Sequence, residues 1–557
     1  MDPSKKEDME VAQKQNKNSQ VVTAPKVSSK EGLGHPDQAI TGSETLRTSI
    51  VRKYDIRILP LIFMAWSIFY LDRAAIALAR VNGMEADLRL SGYQFNIALM
   101  IFFALYIIFN LPGNLILRKV GGGLFLPAIV VAWGLVTTFT GFVTNFATLC
   151  VTRVFLGISE SAFLGVAMLY LAFFYTEFEL ISRVGLFYSG NALAGAFGGF
   201  LATGLGRIRF RGYNGWPWIF FVEGIITVIV GIGMYFILPD SPQTAGFLSS
   251  QERVLAVERM LATDRRHEAL NVLPADSHGT GQAHVDETGQ PIVRPDRLTL
   301  AAFKRAALNP VTIMMALATF MTIEALYSFT LFLPSIILAM GYHGTKLNLL
   351  TVPPNLVAFV LVIAITQYSQ RSGKKAVPML AGGFMAIIGY LLLLIGSRIG
   401  LEEDTSGVFG SPQMSVSKTA STIQYVGTFF VAIGVNVIPP IALAWTCINA
   451  TPHYVRALVL GVIITLGNTA AFLSSFTYIK TEAPRQVYTT GHAINLACCV
   501  VLVAIAFSLI AYMRRENEKR EHGKRNYRLE GGAREGRDND LFELELGWMH
   551  PRHRFQW

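Results

Sequence analysis

The chain has 557 residues, 52% of them hydrophobic and only 15% charged, and its mean hydropathy is +0.41. A soluble domain carries about 25% charged residues, so this composition excludes an ordinary water-soluble protein and points to the bilayer as solvent. The net charge of +10 does not indicate nucleic acid, because the basic residues gather in the tails, in the middle of the chain and in the short connections between apolar runs, where membrane spans carry them.

Residues 1–55 are polar and Lys-rich with no apolar core near Met1, which predicts a disordered cytoplasmic tail and no cleaved signal peptide. A spanning helix needs about 20 mostly apolar residues. Candidates (spans 1 to 6) follow near 57–80, 95–117, 124–143, 147–171, 183–205 and 217–238, forming a first half over 56–238. A polar segment, 239–308, is rich in Arg, Glu, Asp, His and Pro and reads as a cytoplasmic central loop. Six more candidates (spans 7 to 12), near 311–337, 347–367, 376–396, 421–445, 455–478 and 491–513, form a second half over 309–513. Gly, Pro or charge marks each end, as in LPDSPQ at 238–243. Residues 514–557 read as a second cytoplasmic tail of mixed charge, expected to be disordered, with contact against the inner face of the bundle as the alternative.

The sequence therefore predicts an all-α membrane protein with twelve transmembrane helices in two six-helix halves, the organisation of a transporter built from repeats. Basic residues flank the first span (Arg47, Arg52, Lys53, Arg57) and follow the last (Arg514, Arg515, Lys519, Arg520). With an even number of spans this places both termini and the central loop in the cytoplasm; Arg207, Arg209 and Arg211 argue the other way. The sequon Asn449-Ala450-Thr451 then falls on the inner side, out of reach of glycosylation.

Ionisable residues inside spans are costly and face a cavity or a partner. Five stand out: Asp72 in span 1, Arg153 and Glu160 in span 4, Glu223 in span 6 and Glu324 in span 7. Arg153 and Glu160 are seven residues apart, nearly two helical turns, and share one face. At a rise of 1.5 Å per residue Glu160 lies about 10 Å deeper, too far for a comfortable direct pair. Arg153 is therefore expected to pair with Asp72 or Glu223, leaving Glu160 freer to titrate. Desolvation favours the neutral form of a carboxyl group, which makes one a natural proton carrier, and a buried guanidinium offers planar, bidentate recognition of an organic anion. This assigns Arg153 to the substrate and Glu160 and Asp72 to proton coupling. The alternative is that the charges only hold helices in register.

Asn191 in span 5, Glu324, Gln424 and Asn436 in span 10 are further candidate substrate contacts, with helix–helix hydrogen bonding as the alternative for the amides. Tyr327 lies one turn beyond Glu324, and Asn468 is a further amide in span 11. Gly195 and Gly199 have the spacing of a close helix contact. Pro112, Pro439 and Pro440 should bend or interrupt spans 2 and 10. His453 and His492 stand near span ends and read as solvated. The four cysteines all lie in apolar runs and suggest no disulfide framework.

YLDRAAIALARV (70–81), FNLPGNLILRKVG (109–121), RVFLGISESAF (153–163), GWPWIFFVEG (215–224) and AWTCINATPHYVRALVLGVIITLGN (444–468) resemble the fungal allantoate permease group, an anion:cation symporter family within the major facilitator superfamily. The likeness covers roughly residues 50–515. It implies the twelve-helix major facilitator fold, proton-coupled uptake of small organic anions such as vitamins or nitrogen and sulfur nutrients, and a plasma-membrane location. Asp72, Arg73, Arg153, Glu160 and Glu223 match residues of its recurring motifs, with Arg73 and Glu223 read as gating or structural. The superfamily's loop between spans 2 and 3 usually holds an Asp in a Gly-x-x-x-Asp-Arg-x-Gly pattern; PGNLILRKVG lacks it, and Arg118 and Lys119 remain as candidates for the gating role. LDRAAIALA replaces the more polar LDRSNIGNA of relatives and makes the lumen more apolar.

The reading is a monomeric secondary active transporter, importing a small organic anion with protons. The alternatives are an exporter exchanging a metabolite or drug for protons, disfavoured by the lack of a Gly-Pro pair in span 5, and a membrane receptor or sensor, for which the tails are short and plain. No P-loop, HExxH or Cys/His metal spacing is present, so neither an enzyme, a cofactor nor a metal is expected.

Overall fold

The structure is a computed structural model, and it describes residues 36–208, 214–259, 304, 307–405, 417–450, 453–478, 488–527 and 554–555. The described residues before Ile50, 36–49, belong to one unit and are helical, and the described residues from Ile50 onward belong to another.

The first half contains spans 1 (Leu59–Ala79), 2 (Gln94–Val120), 3 (Gly122–Thr140), 4 (Phe146–Glu160 and Phe163–Ala172), 5 (Glu177–Leu205) and 6 (Gly215–Ile237). The second contains spans 7 (Pro310–Ala339), 8 (Gly344–Leu350 and Val352–Ser372), 9 (Ala376–Thr405), 10 (Lys418–Asn449), 11 (His453–Asn468 and Ala470–Thr477) and 12 (Thr489–Glu521). Ten described helices are long and apolar enough to cross a membrane, and spans 2 and 5 complete the twelve by length. Each overlaps an apolar run of the sequence, with spans 5, 9 and 12 running on by six to nine residues at one end, because a segment in hydrocarbon must satisfy its backbone internally and only a helix does so alone.

Parts of the two stretches read as disordered tails are ordered among the described residues, while 1–35, 528–553 and 556–557 lie outside them. A helix over Pro36–Arg57 precedes span 1; its Ile50 and Tyr54, followed by Ile58, recur every fourth position and are fully buried, and Tyr54 meets Phe174, Tyr175 and Phe247 edge-on. The polar composition of the tail hid this short apolar stripe. At the other end span 12 runs on to Glu521, and Asn517 there both donates to the carbonyl of Phe555 (2.9 Å) and accepts from its N–H (3.0 Å). The Phe555 ring is buried with the Arg520 guanidinium 4.6 Å from its centroid.

The prolines also behave differently from expectation: helices run without interruption through Pro112 and through Pro439-Pro440. The interruptions fall instead at 161–162 in span 4, Thr351 in span 8 and Thr469 in span 11. After span 1 the chain opens into a wider turn, Arg80–Met84, where Gly83 takes φ +108, a value suited to glycine.

The halves meet along spans 5 and 8, where Gly195 lies against the Asn355 side chain and Gly199 against Thr351 and the Asn348 carbonyl. This is the close packing that small residues permit. On the face remote from the termini Asn82 and Asn348 exchange hydrogen bonds of 3.2 and 3.1 Å, Asn96 of span 2 donates to the Ser475 carbonyl of span 11, and Arg207 donates to Thr345; Arg209 and Arg211 lie outside the described residues. Toward the termini the start of the central loop is tied to the first half, by Lys53 to Glu252 (2.7 Å) and by Arg259 to Glu179 (3.1 Å). Asn449 of the sequon is buried and donates to the Trp445 carbonyl.

Candidate functional site

In span 4 one face carries Arg153, Gly157 and Glu160, all buried, while Val151 and Phe155 point outward. Gly157 explains how this face packs: a Cβ there would stand 2.5 Å from the Phe102 carbonyl of span 2, so the two backbones nearly touch. The helix is interrupted directly after Glu160, and Asn110 of span 2 donates to the Ser161 carbonyl at the break (2.8 Å). Span 1 supplies Asp72 and Arg73 from a stretch that is buried on every side.

Arg73 Nη1 donates to Glu160 Oε2 at 2.8 Å and to the Phe69 carbonyl at 2.9 Å. Its guanidinium lies 3.7 Å from the Phe69 ring centroid, with Tyr70, Phe102 and Tyr106 between 5.1 and 5.7 Å. An arginine suits this position because its flat, weakly hydrated cation stacks on aromatic faces. Arg73 Nε and Nη2 and Glu160 Oε1 have no hydrogen-bond partner among the described residues.

This differs from the pairing expected from the sequence. Glu160 is not left free; it is held by Arg73. Arg153 forms no such pair: its Nε and Nη2 are buried without partners, facing the charges of Asp72, Glu160 and Glu223, with the Phe220 ring centroid at 5.9 Å. Asp72 instead accepts from Thr137 Oγ1 on both oxygens, at 3.0 and 3.1 Å. Both carboxylate oxygens of Glu223 are without partners among the described residues. The cluster around Arg153 thus buries three carboxyl groups, Asp72, Glu160 and Glu223, with two guanidinium groups, Arg73 and Arg153, while Arg80, also buried, pairs with Glu85 at the end of span 1. Asp72, Arg73, Arg153 and Glu160 line one small cavity together with Phe102 and Phe103. Leu331 of span 7 lines it from the second half, and on the same helix the Tyr327 ring lies 5.1 Å from that of Phe103.

A second cavity lies between the halves, lined by Asn191, Asn355, Phe329, Pro334 and Asn436. Asn191 Nδ2 donates to Asn436 Oδ1 at 2.6 Å across it, so these two candidates come together. Gln424 lies elsewhere, donating to Ser397 of span 9 (3.0 Å). Glu324 is fully buried in the second half and accepts from Ser328 (3.0 Å) and Thr477 (2.6 Å). The side chains of Arg118, Lys119 and His453 lie outside the described residues. His492 is not solvated: it is buried, with Nδ1 3.1 Å from the Tyr478 hydroxyl. Phe69, Thr137 and Asn355 were not anticipated; a hydroxyl or a ring within a span has no local signal that distinguishes it from its many equivalents. Among the described residues no group of His, Cys, Asp and Glu could hold a metal ion.

Residues 62–475 match the family model described as the Major Facilitator Superfamily. An uncharacterised transporter of Schizosaccharomyces pombe is 30% identical over 86% of this chain and 89% of its own length. The major facilitator-type transporter hxnP of Emericella nidulans is 28% identical over 90% and 93%. Among solved structures, the xylose transporter XylE from E. coli in a partially occluded inward-open conformation superposes with a TM-score of 0.57 at 12% identity, covering 80% of this chain and 97% of its own.

Proposed function

Because the chain belongs to the Major Facilitator Superfamily and is a multi-pass membrane transporter, not an enzyme, we propose that it carries a small organic anion together with protons, by alternating access of its two halves. The observation that supports this reading is a cluster of three buried carboxyls around two guanidiniums. Asp72, Glu160, Arg73 and Arg153 line one cavity, Glu223 faces Arg153 beside it, and both arginines keep N–H donors without a partner among the described residues. An uncompensated charge in a span costs several kcal/mol, so one of the carboxyls takes a proton to balance the set.

The coupling follows from what Arg73 can hold. A carboxylate-bearing solute entering the cavity competes with Glu160 for Arg73 and finds the free donors of Arg153 nearby. Glu160, once displaced, is a lone carboxylate in a low-dielectric site and takes up a proton. Proton and anion therefore favour one another's binding, which is the requirement of symport. Antiport requires the reverse, solute and proton excluding one another at one carboxylate, and the unused guanidinium donors favour an anion instead. The basic flanks of spans 1 and 12 support cytoplasmic termini, and inward transport at the plasma membrane is the direction we assign.

Uptake of a radiolabelled panel (nicotinate, pantothenate, biotin, allantoate and dipeptides) into cells lacking their own permeases tests this, in acidic and neutral medium, with and without a protonophore. Acid-stimulated, protonophore-sensitive uptake that Glu160→Gln abolishes is the expected result. Lowered retention of preloaded solute, with no uptake, identifies an exporter instead.

A further inference from the structure

The first half holds both of its candidate acids and their arginines, but the second half buries a carboxyl with no cation. Glu324 sits in span 7, fully buried. Its Oε1 accepts from Ser328 Oγ on its own helix at 3.0 Å and from Thr477 Oγ1 of span 11 at 2.6 Å. Its Oε2 has no partner among the described residues. The titratable groups facing it are uncharged when neutral: Tyr390 from span 9 and Cys498 from span 12. Tyr478 and His492 lie beyond Thr477, hydrogen-bonded to each other. Span 10 and the first segment of span 8 bring no charged side chain to it among the described residues, and Arg73 of span 1 is engaged by Glu160. Two hydroxyl donors stabilise an ionised carboxylate only partly in such a setting.

Thr477 has one hydroxyl hydrogen and two acceptors in reach, Glu324 Oε1 and the Leu473 carbonyl of its own helix at 3.0 Å. It can satisfy only one at a time. We infer that Glu324 is a proton-binding site of the second half, with the Thr477 hydroxyl as its switch. When ionised, Glu324 holds the Thr477 hydroxyl, because a charged acceptor makes the stronger bond. When a proton from water adds to the free Oε2, the carboxylate becomes a neutral carboxylic acid and Oε1 a weaker acceptor. Thr477 then turns to Leu473. This role differs from a substrate contact and stands whatever solute the first half selects, since the site lies in the other half and contains no anion-binding donor.

The test needs no solute. Purified full-length protein in lipid is titrated from acid to alkaline pH while infrared absorption of protonated carboxyl C=O is recorded, and the spectra of Glu324→Gln are subtracted. We expect a band present in acid, lost in alkali and missing from Glu324→Gln. Glu324→Asp should move the band rather than remove it, which keeps the assignment secure if the Gln variant folds poorly. Thr477→Val removes one donor to the ionised form and should move the midpoint upward by about one to two pH units. A band absent at every pH, or constant across the range as for a permanently neutral helix–helix link, overturns the inference. An unmoved midpoint in Thr477→Val overturns the switch. None of these outcomes depends on whether the panel solutes are transported, so this site and the symport reading fail separately.

Discussion

Arg73 of span 1 and Glu160 of span 4 form a fully buried ion pair, 2.8 Å between Nη1 and Oε2, at the point where span 4 is interrupted. Removing one partner of a buried pair costs about 3–5 kcal/mol, whereas replacing both by groups of similar shape can be close to neutral. Arg73→Met is therefore expected to lower the thermal midpoint of the detergent-purified protein, and Arg73→Met/Glu160→Gln to recover much of it while remaining inactive in transport. A double variant as unstable as Arg73→Met would show that the pair is not the source of the loss.

The Asn191–Asn436 hydrogen bond links spans 5 and 10 across the cavity between the halves. If the two amides act as one unit, Asn191→Ala and Asn436→Ala should each raise the half-saturation concentration for solute, and the double variant should be little worse than either. Contacting residues show interaction energies of roughly 0.5–3 kcal/mol in such cycles. Strictly additive effects would mean that the bond does not organise the cavity.

Gly199 and Gly204 lie in the same span and separate packing from helix propensity. A Cβ on Gly199 would crowd Thr351, Val352 and the Asn348 carbonyl at 2.7 Å, whereas one on Gly204 meets nothing within 4 Å. Overpacking costs typically about 1–3 kcal/mol. Gly199→Leu should reduce folded protein in the membrane or block transport by forcing spans 5 and 8 apart, and Gly204→Ala should leave both unchanged. Normal transport by Gly199→Leu would show that the two spans can separate without cost.

Asn517 clasps the backbone of Phe555 with two hydrogen bonds, and the ring is buried beside Arg520. Asn517→Ala and Phe555→Ala should each speed limited proteolysis between residues 527 and 555, with the transmembrane part intact. Equal cleavage rates in wild type and both variants would remove any role for this contact in holding the tail.

Much of the candidate site was visible before folding, but not its pairing. Asp72, Arg153, Glu160, Glu223 and Glu324 are conspicuous because a charge in an apolar run is costly wherever it points, whereas Arg73 was named only through the family resemblance. Counting at 1.5 Å per residue, Arg73 from Leu59 and Glu160 from Ala172 arrive within about one helical turn of the same depth, so depth permitted the observed pair. Depth argued against Arg153 as the partner of Glu160 but could not by itself select Arg73, because that contact depends on how spans 1 and 4 are rotated about their axes and on the close approach at Gly157. The polar tails misled for a related reason: composition averaged over many residues hides a few well-spaced apolar positions such as Ile50 and Tyr54, or one buried ring such as Phe555.

What the sequence determined alone was the number, position and order of the spans, since hydrophobic thickness is a local requirement that about 20 successive residues meet or fail together. Which side chains meet was decided by the tertiary structure. Lateral packing sets helix rotation and neighbour choice through contacts between residues far apart in the chain, as between Arg73 and Glu160 or Asn191 and Asn436, and no run of neighbouring residues encodes those contacts.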